Sequence, residues 1–468
     1  EAQERCRSIV ETEILRFDFR IFGWRQVPTE LGVIGEKAKA TRPEIEQIMI
    51  GYQSDDISRE RLEAILFVIR RRIEKQVLAE NIQDFYICSL STESIIYKGM
   101  FLADQLTSFY PDLLDERFVS NFAIYHQRYS TNTFPTWSLA QPFRIISHNG
   151  EINTIRGNTQ WMKSHEAGLS GAEYLKDDEL RDITPVIQGG ASDSGALDAV
   201  FELLAHGGRN LPMAKTVMIP DTWSYRASVP QSFRDLYAYC NSIMQPWDGP
   251  AAIAGFKAPW VIAGLDRNGL RPLRYALTSD GLLSVGSETG VNDWEPTRII
   301  EKGRVGPGQM IAVNLETGQF YRDEELKSHL AGQQDFSSWV KKIRHLENLA
   351  CPVSSPPKLN KEQTLTFQRL YDWTLEDFEI VLRPMVETAK EAVGSMGDDS
   401  PLAVLSQRYR GLHHFFRQNF AQVTNPPIDS LRERSVMSLK TRIGRYSNLF
   451  DESEKQCDLV ELESPILM

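Results

Sequence analysis

Two stretches of the sequence repeat apolar residues at the spacing of an amphipathic helix. In residues 58–79 the apolar positions recur every three or four residues, and Ser58 precedes them as a candidate N-cap. Residues 192–206 show the same spacing and end at two glycines, which favour a helix stop. We therefore predict helices over 58–79 and 192–206. A third helical pattern covers 365–392.

Shorter runs of β-branched and aromatic residues predict strands. Residues 85–90 and 94–98 suggest a hairpin, and the later runs are separated by Gly, Asp, Asn or Pro, as short antiparallel connections require. We expect two layers of antiparallel sheet, flanked by helices, over residues 20–321. The other predicted strands are 22–28, 43–51, 216–219, 251–256, 260–265, 282–287 and 310–314.

The composition changes near residue 351, where the segment CPVSSPPKL is rich in proline and serine. We predict a first domain over 1–345, a linker over 346–360 and a different domain over 361–468. The last part has the pattern of an α/β domain that the sequence does not complete.

Charge and cysteine usage narrow the class of protein. The net charge is −11, which argues against a nucleic-acid or acidic-membrane partner. Five widely spaced cysteines and eight scattered histidines give no disulfide framework and no metal site. The chain has no signal-peptide pattern, and its apolar runs are too short to span a bilayer. We expect a cytoplasmic protein.

Four residues are candidates for binding or catalysis. Arg128 lies beside two hydroxyls, Ser130 and Thr131, and its guanidinium suits a carboxylate ligand, although a lone arginine more often forms a surface ion pair. Asp193, at a helix start, can hold an ammonium group or only cap the helix. Asn149-Gly150 can donate to an oxyanion, but this dipeptide is also a common turn signal.

Several longer motifs resemble one enzyme family. They are YHQRYSTNTFPTWSLAQPFRIISHNGEINTIRGN (125–158), GGASDSGALD (189–198), MQPWDGPAA (244–252) and GLDRNGLRPLRY (264–275). Together they resemble class II glutamine amidotransferases. Two later stretches, MGDDSPLAVLS (396–406) and FFRQNFAQVTNPPID (415–429), narrow the resemblance to the large subunits of the glutamate synthase family.

The resemblance implies a role for each candidate. Arg128 binds the α-carboxylate of L-glutamine, Asp193 holds the α-ammonium, and Asn149 and Gly150 form the oxyanion hole. The implied fold is α+β, the αββα sandwich of N-terminal-nucleophile hydrolases, followed by the beginning of an α/β central domain. The complete enzymes pass ammonia to 2-oxoglutarate and use FMN and an iron–sulfur cluster, which we expect outside this segment. An electron-donor subunit or ferredoxin is the implied redox partner.

One departure limits the resemblance. The family uses an N-terminal cysteine as nucleophile, whereas this sequence begins with Glu1. We therefore expect an internal segment that supplies the glutamine pocket and oxyanion hole but no nucleophile. Two alternatives stay open: a non-catalytic glutamine-binding or interaction module, and another class II amidotransferase.

Overall fold

The structure, a computed structural model, describes residues 1–53, 56–129, 134–221, 229–349, 358–388, 392, 403–405, 407–416, 441–444, 446 and 448–462. Ser130, Thr131 and most of the predicted linker 346–360 lie outside these residues. So do most of 396–406 and 415–429, two of the stretches on which the family resemblance rests.

Helices cover much of the first 340 residues. They are α1 (Ala2–Leu15), α2 (Glu36–Ala40), α3 (Arg59–Ala79), α4 (Leu106–Phe109), α5 (Ile155–Glu166), α6 (Asp177–Ile183), α7 (Asp193–His206), α8 (Leu211–Met218), α9 (Gln231–Ile243), α10 (Asp323–Ala331) and α11 (Phe336–Val340); α12 (Lys361–Leu370) and α13 (Arg383–Thr388) follow.

Most pairs of neighbouring strands in the described residues are antiparallel. The strands are β1 (Phe19–Gln26), β2 (Glu46–Tyr52), β3 (Ile146–Gly150), β4 (Ala251–Lys257), β5 (Trp260–Leu265), β6 (Arg274–Thr278), β7 (Leu283–Gly286), β8 (Ile299–Arg304), β9 (Met310–Asn314), β10 (Gln319–Tyr321), β11 (Arg344–His345), β12 (Thr441–Ile443) and β13 (Val460–Leu462). They form sheets in the orders β1-β2, β10-β9-β5-β4-β3, β7-β6-β8 and β11-β13-β12.

The chain divides into two compact units. The first contains Glu1–Arg344 and Arg442–Glu461, and the second contains His345–Thr441 and Leu462–Met468. In the first unit, α7, α8 and α9 bury their apolar faces together with β3, β4 and β5 in one large core cluster. A second cluster joins α1 and α3 to β1. The architecture is mixed α+β.

The two strongest helix predictions are confirmed. Helix α3 begins after Ser58, whose side chain accepts a hydrogen bond from the Arg61 N–H. Helix α7 begins after Ser192, whose side chain accepts from the Gly195 N–H. Both caps satisfy a donor that has no partner inside the helix.

Three predicted strands are absent. Residues 216–218 belong to helix α8 and Ile219 is its C-cap; this helix begins with Asn210 as N-cap and has Pro212 in its first turn. Residues 85–90 and 94–98 form no strands, and side chains accept from two backbone donors in this part of the chain. The Glu63 carboxylate accepts from the Thr92 N–H, and the Ser89 hydroxyl accepts from the Ile96 N–H.

The second unit also differs from its prediction of one continuous helix over 365–392. Helix α12 ends at Leu370, and Asp372 has a positive φ of 54°. The Asp377 carboxylate then accepts hydrogen bonds from the Thr374 N–H and hydroxyl. A π-helical segment, Asp377–Leu382, leads into α13.

Candidate active site

Asn149 and Gly150 form the end of strand β3, and the turn predicted for them is wrong. They pair with Ala252 and Ala251 of β4, so the ladder holds both residues in extended backbone. Strand β3 is the last strand of its five-stranded sheet among the described residues. Asn149 is half-buried, and it therefore lies at a sheet edge that a ligand can reach.

The direction of the Gly150 N–H follows from the hydrogen bonds on either side of it. The Ile145 carbonyl accepts from the Phe256 N–H, and the Glu151 N–H donates to the Pro250 carbonyl. Backbone groups alternate between the two sides of a strand, so the odd-numbered residues here bond to β4. The N–H of Gly150 consequently points away from β4, toward the edge of the sheet.

Gly150 is required by close packing. Its φ is +155°, and a Cβ at this position would lie 1.7 Å from the Pro250 carbonyl oxygen. Gly249 has a similar constraint, since its Cβ would lie 2.0 Å from the Glu151 carbonyl oxygen. The two chain segments therefore approach each other so closely that only glycines fit.

Two carboxylates, one fully buried and one partly buried, hold residues 248–251 in place. Asp266 is fully buried and accepts hydrogen bonds from the Ala251, Asn268 and Gly269 N–H groups. Asp248 accepts two bonds from the Arg267 guanidinium, at 2.9 and 2.8 Å. These contacts explain the roles of the motifs MQPWDGPAA and GLDRNGLRPLRY, which sequence reasoning left unassigned.

The beginning of β3 is held by Asp198 of α7. Its buried carboxylate accepts from the N–H groups of Arg144, Ile145 and Ile146 at 2.9–3.1 Å. Farther along the strand, the Gln141 side chain bonds both the N–H and the carbonyl of His148. Side chains thus take the place of a further strand on this edge.

Asp193 is the first residue of α7, directly after the N-cap. Because Ser192 caps the helix, Asp193 is not needed for that purpose. Its Oδ2 accepts from the Ile152 N–H at 2.9 Å, two residues beyond Gly150. Asp193 is half-buried. The structure thus brings Asn149, Gly150 and Asp193 together.

Arg128 lies in the preceding loop and is exposed. Its N–H donates to Nδ1 of His126, and His126 is close enough to His148 to lower the pKa of that imidazole. The loop is also fixed to the sheet by Phe122, whose ring stacks on Phe256 at 3.9 Å. The structure describes no contact between the Arg128 guanidinium and the other three candidates.

His148 is the residue of this site that sequence reasoning did not assign. Its imidazole is almost fully buried, and Nδ1 lies 2.7 Å from the Ser194 hydroxyl of α7. Burial lowers the pKa of His148 to about 4, against the opposing effect of Asp193. The sequence offered one indication of a role for His148, its position immediately before Asn149. Side chains alternate between the two faces of a strand, so the buried position of His148 could be inferred only once β3 was known.

Comparison with known families gives two matches along the chain. Residues 1–339 match the family described as glutamine amidotransferases class-II, which covers well over half of the chain. The chain belongs to the class II glutamine amidotransferases. Residues 366–468 match the glutamate synthase central domain.

Curated relatives of this class II glutamine amidotransferase cover 96–100% of its length. It is 58% identical to the glutamate synthase [NADPH] large chain of Azospirillum brasilense over 100% of the chain and 31% of the relative. It is 40% identical to the Bacillus subtilis [NADPH] large chain, over 96% of the chain and 29% of the relative. It is 41% identical to ferredoxin-dependent glutamate synthase 2 of Arabidopsis thaliana, over 100% of the chain and 28% of the relative. The chain spans less than a third of each relative.

The described cysteines of this amidotransferase are poor nucleophiles. Burial raises the pKa of Cys6, Cys88 and Cys457, and it raises the pKa of Cys240 to about 12. A thiol with a raised pKa holds less of the reactive thiolate at neutral pH. Cys351 lies outside the described residues.

The described part of this amidotransferase contains no group of three or more His, Cys, Asp and Glu side chains arranged to hold a metal ion. None of its described helices has the length and apolar character needed to cross a bilayer.

Proposed function

We propose that this chain binds L-glutamine and stabilises the transition state of its hydrolysis to glutamate and ammonia. The observation that supports this most strongly is the combination at the end of β3. The Gly150 N–H points toward the sheet edge beside Asn149, and the Asp193 carboxylate is held by the N–H of Ile152.

In this proposal the α-ammonium, the α-carboxylate and the side-chain amide of glutamine are each bound by residues of this site. Asn149 and the Gly150 N–H donate to the oxyanion that forms when the side-chain amide carbon is attacked. Asp193 accepts from the α-ammonium, and Arg128 donates to the α-carboxylate. An exposed Arg128 supports this role, since its guanidinium is accessible to a free amino acid.

We assign no nucleophile to Cys6, Cys88, Cys240 or Cys457, because the pKa of each thiol is raised. In this proposal the attacking thiolate belongs to the N-terminal cysteine that the family resemblance implies, and not to any described cysteine of this chain. The fold is the αββα sandwich of N-terminal-nucleophile hydrolases, supported by the antiparallel sheets and by α7 packing on β3. Its domains are 1–345, a linker 346–360 and the beginning of an α/β central domain, 361–468.

The wider reaction rests on the relatives. We infer that the complete protein is a cytoplasmic glutamate synthase large subunit that delivers ammonia to 2-oxoglutarate. The relatives' names, NADPH and ferredoxin-dependent, support a reduced nicotinamide or ferredoxin as electron source. FMN and an iron–sulfur cluster would be held by other parts of that protein.

Glutaminase kinetics of the full-length protein test the proposal. We expect Asp193→Ala and Arg128→Ala each to raise the KM for glutamine about tenfold or more, because each removes a charge-assisted hydrogen bond. Asp335→Ala and Arg117→Ala are the matched controls, since Asp335 is the N-cap of α11 and Arg117 is an exposed arginine of the loop before Arg128. If both site variants keep the parent KM, the assigned pocket is wrong.

A second candidate function is glutamine binding without hydrolysis. The raised pKa values of the described cysteines favour it. Calorimetry with glutamine on the full-length protein separates the two functions. Binding without release of ammonia would support the second candidate and exclude the first.

A further inference from the structure

A chain of hydrogen bonds connects the interior of the β3–α7 interface to the candidate ammonium site. Nδ1 of His148 lies 2.7 Å from the Ser194 hydroxyl, and that hydroxyl donates to Oδ1 of Asp193 at 3.4 Å. His148 and Ser194 are 1% and 4% exposed, whereas Asp193 is half-buried. The chain therefore runs from the core to a carboxylate at the surface of the site.

We propose that His148 and Ser194 are positioning residues, which hold the Asp193 carboxylate in the orientation that receives the α-ammonium group of glutamine. The inference rests on the proposed function and adds to it two residues that determine selectivity for an α-amino acid.

Anchoring affects the orientation of the carboxylate because Asp193 lies in the first turn of α7. The first turn of a helix presents unpaired N–H groups that attract a nearby carboxylate. Asp193 is kept from rotating toward them by one bond on each oxygen. Oδ2 accepts from the Ile152 N–H, and Oδ1 accepts from Ser194. Each oxygen keeps a lone pair for a substrate ammonium.

The proposal requires one tautomer of His148. Because a carboxylate only accepts, the hydroxyl hydrogen of Ser194 is used on Asp193 in the proposed arrangement. His148 then donates to Ser194 through an Nδ1–H, one of the two tautomers that the 2.7 Å contact permits. The charged and titratable groups that face His148 are Asp193, His126 and Arg271. Burial keeps the imidazole neutral at neutral pH, and its pKa is about 4.

A purely structural role and a positioning role of this pair predict different results. A buried imidazole and hydroxyl can be replaced by apolar groups of similar shape with little loss of stability when both partners change. A positioning role instead predicts a change in glutamine affinity that depends on the α-amino group. The two roles therefore differ in a measurable way.

The test uses the full-length protein with the variants Ser194→Ala, His148→Phe and His148→Asn. We expect Ser194→Ala and His148→Phe to raise the KM for glutamine about three- to tenfold with kcat within about twofold, since binding to the ammonium is the same in ground and transition states. His148→Asn should restore the KM, because the asparagine amide nitrogen is as many bonds from the backbone as Nδ1.

A second ligand separates positioning from general damage. The monoamide of glutaric acid is glutamine without its α-amino group, and its inhibition constant should be unchanged in Ser194→Ala. Ser242→Ala is the matched control, because it removes a buried serine hydroxyl of α9 away from this site. Its KM should equal that of the parent.

Three outcomes would overturn the inference. The first is an unchanged glutamine KM in Ser194→Ala when Asp193→Ala raises it, which leaves the proposed function intact. The second is an equal loss of affinity for glutamine and for the monoamide. The third is His148→Asn behaving like His148→Phe. An unchanged KM in Asp193→Ala would instead reject the proposed function. If His148→Phe fails to fold, Ser194→Ala still decides.

Discussion

Gly150 meets two constraints at one backbone position. Its N–H points to the sheet edge, and its Cα lies against the Pro250 carbonyl with no room for a side chain. The close packing against Pro250 also determines the direction of the N–H, because a residue that moved away from Pro250 would rotate its N–H as well. Pro250 is fixed in turn through Ala251, whose N–H donates to the buried Asp266.

Gly150→Ala should therefore reduce both stability and glutaminase activity. We expect a loss of about 1–3 kcal/mol in the free energy of unfolding from the overlap with Pro250. We also expect at least a hundredfold loss of kcat from displacement of one oxyanion donor. Thermal unfolding and ammonia release measure the two effects. Gly32→Ala is the control, because a Cβ there meets nothing within 4 Å. Full activity in Gly150→Ala would contradict the assigned oxyanion hole.

The sequence named candidate residues for this site without indicating how the structure holds them. The family resemblance pointed to Asn149, Gly150 and Asp193, which the structure brings together. By itself, Asn149-Gly150 indicated a turn, because the pairing with β4 depends on residues a hundred positions away. The contributions of Asp266 and Pro250 could not be predicted for the same reason. The roles of Arg128, Asn149, Gly150 and Asp193 all stay predictions.

At the scale of elements, helix capping and the contact with the loop after β3 are made by two different residues at the N-terminus of α7. The sequence alone could not distinguish these two roles. Ser192 caps the helix, and Asp193 bonds the loop after β3. Periodicity and capping residues predicted α3 and α7, where local pattern and packing agree. They failed for α8, where Thr216 and Val217 favoured a strand although Asn210 and Pro212 started a helix.

Ser192→Ala should lower the free energy of unfolding by about 1 kcal/mol, the usual contribution of an N-cap. The KM for glutamine should change far less than in Asp193→Ala. Thermal unfolding and steady-state kinetics on the same preparations test this. A KM raised equally in both variants would show that the end of α7, rather than the Asp193 carboxylate, sets substrate affinity.

An ion network joins α3 to the beginning of β3. Burial alone would raise the pKa of Glu74, but Arg70, Arg144 and Arg71 outweigh it and lower the pKa to about 2. A carboxyl group with a lowered pKa stabilises the fold above its ordinary pKa of 4.5. That stabilisation is lost as the pH falls through about 2.

Glu74→Gln should therefore destabilise the protein most at neutral pH, by about 3 kcal/mol. The difference from the parent should shrink between pH 4.5 and about 2. Urea unfolding at a series of pH values measures it. Glu80→Gln is the control, since Glu80 follows the same helix and its pair with Arg5 is exposed. A difference that does not vary with pH would contradict the ionic explanation.

At the scale of the whole molecule, the first compact unit is assembled from two separate parts of the chain. Residues Arg442–Glu461 return to it, and Leu449, Phe450 and Cys457 join its large core cluster. Arg209 anchors this return. Its buried side chain donates twice to the Leu449 carbonyl and pairs with Glu452. The proline-rich composition near residue 351 predicted a boundary, but a linker pattern cannot predict that later residues return.

Arg209→Met should loosen the returning segment. Losing the bonds to the Leu449 carbonyl should lower the free energy of unfolding of this segment by about 1–3 kcal/mol, since a buried acceptor is left unpaired. Hydrogen–deuterium exchange across residues 448–462 should accelerate accordingly. Arg344→Met is the control, because its pair with Asp458 is exposed. Unchanged exchange in Arg209→Met would show that apolar packing alone holds the segment.

The returning segment also affects the order in which a ribosome can complete this fold. Residues 1–344 leave the exit tunnel first, yet their core still lacks Leu449, Phe450 and Cys457. Synthesis of the intervening residues takes on the order of 5–20 s in a growing cell. During that interval the nascent chain displays uncovered apolar surface, so the newborn protein should be a client of ribosome-associated chaperones until translation passes residue 461.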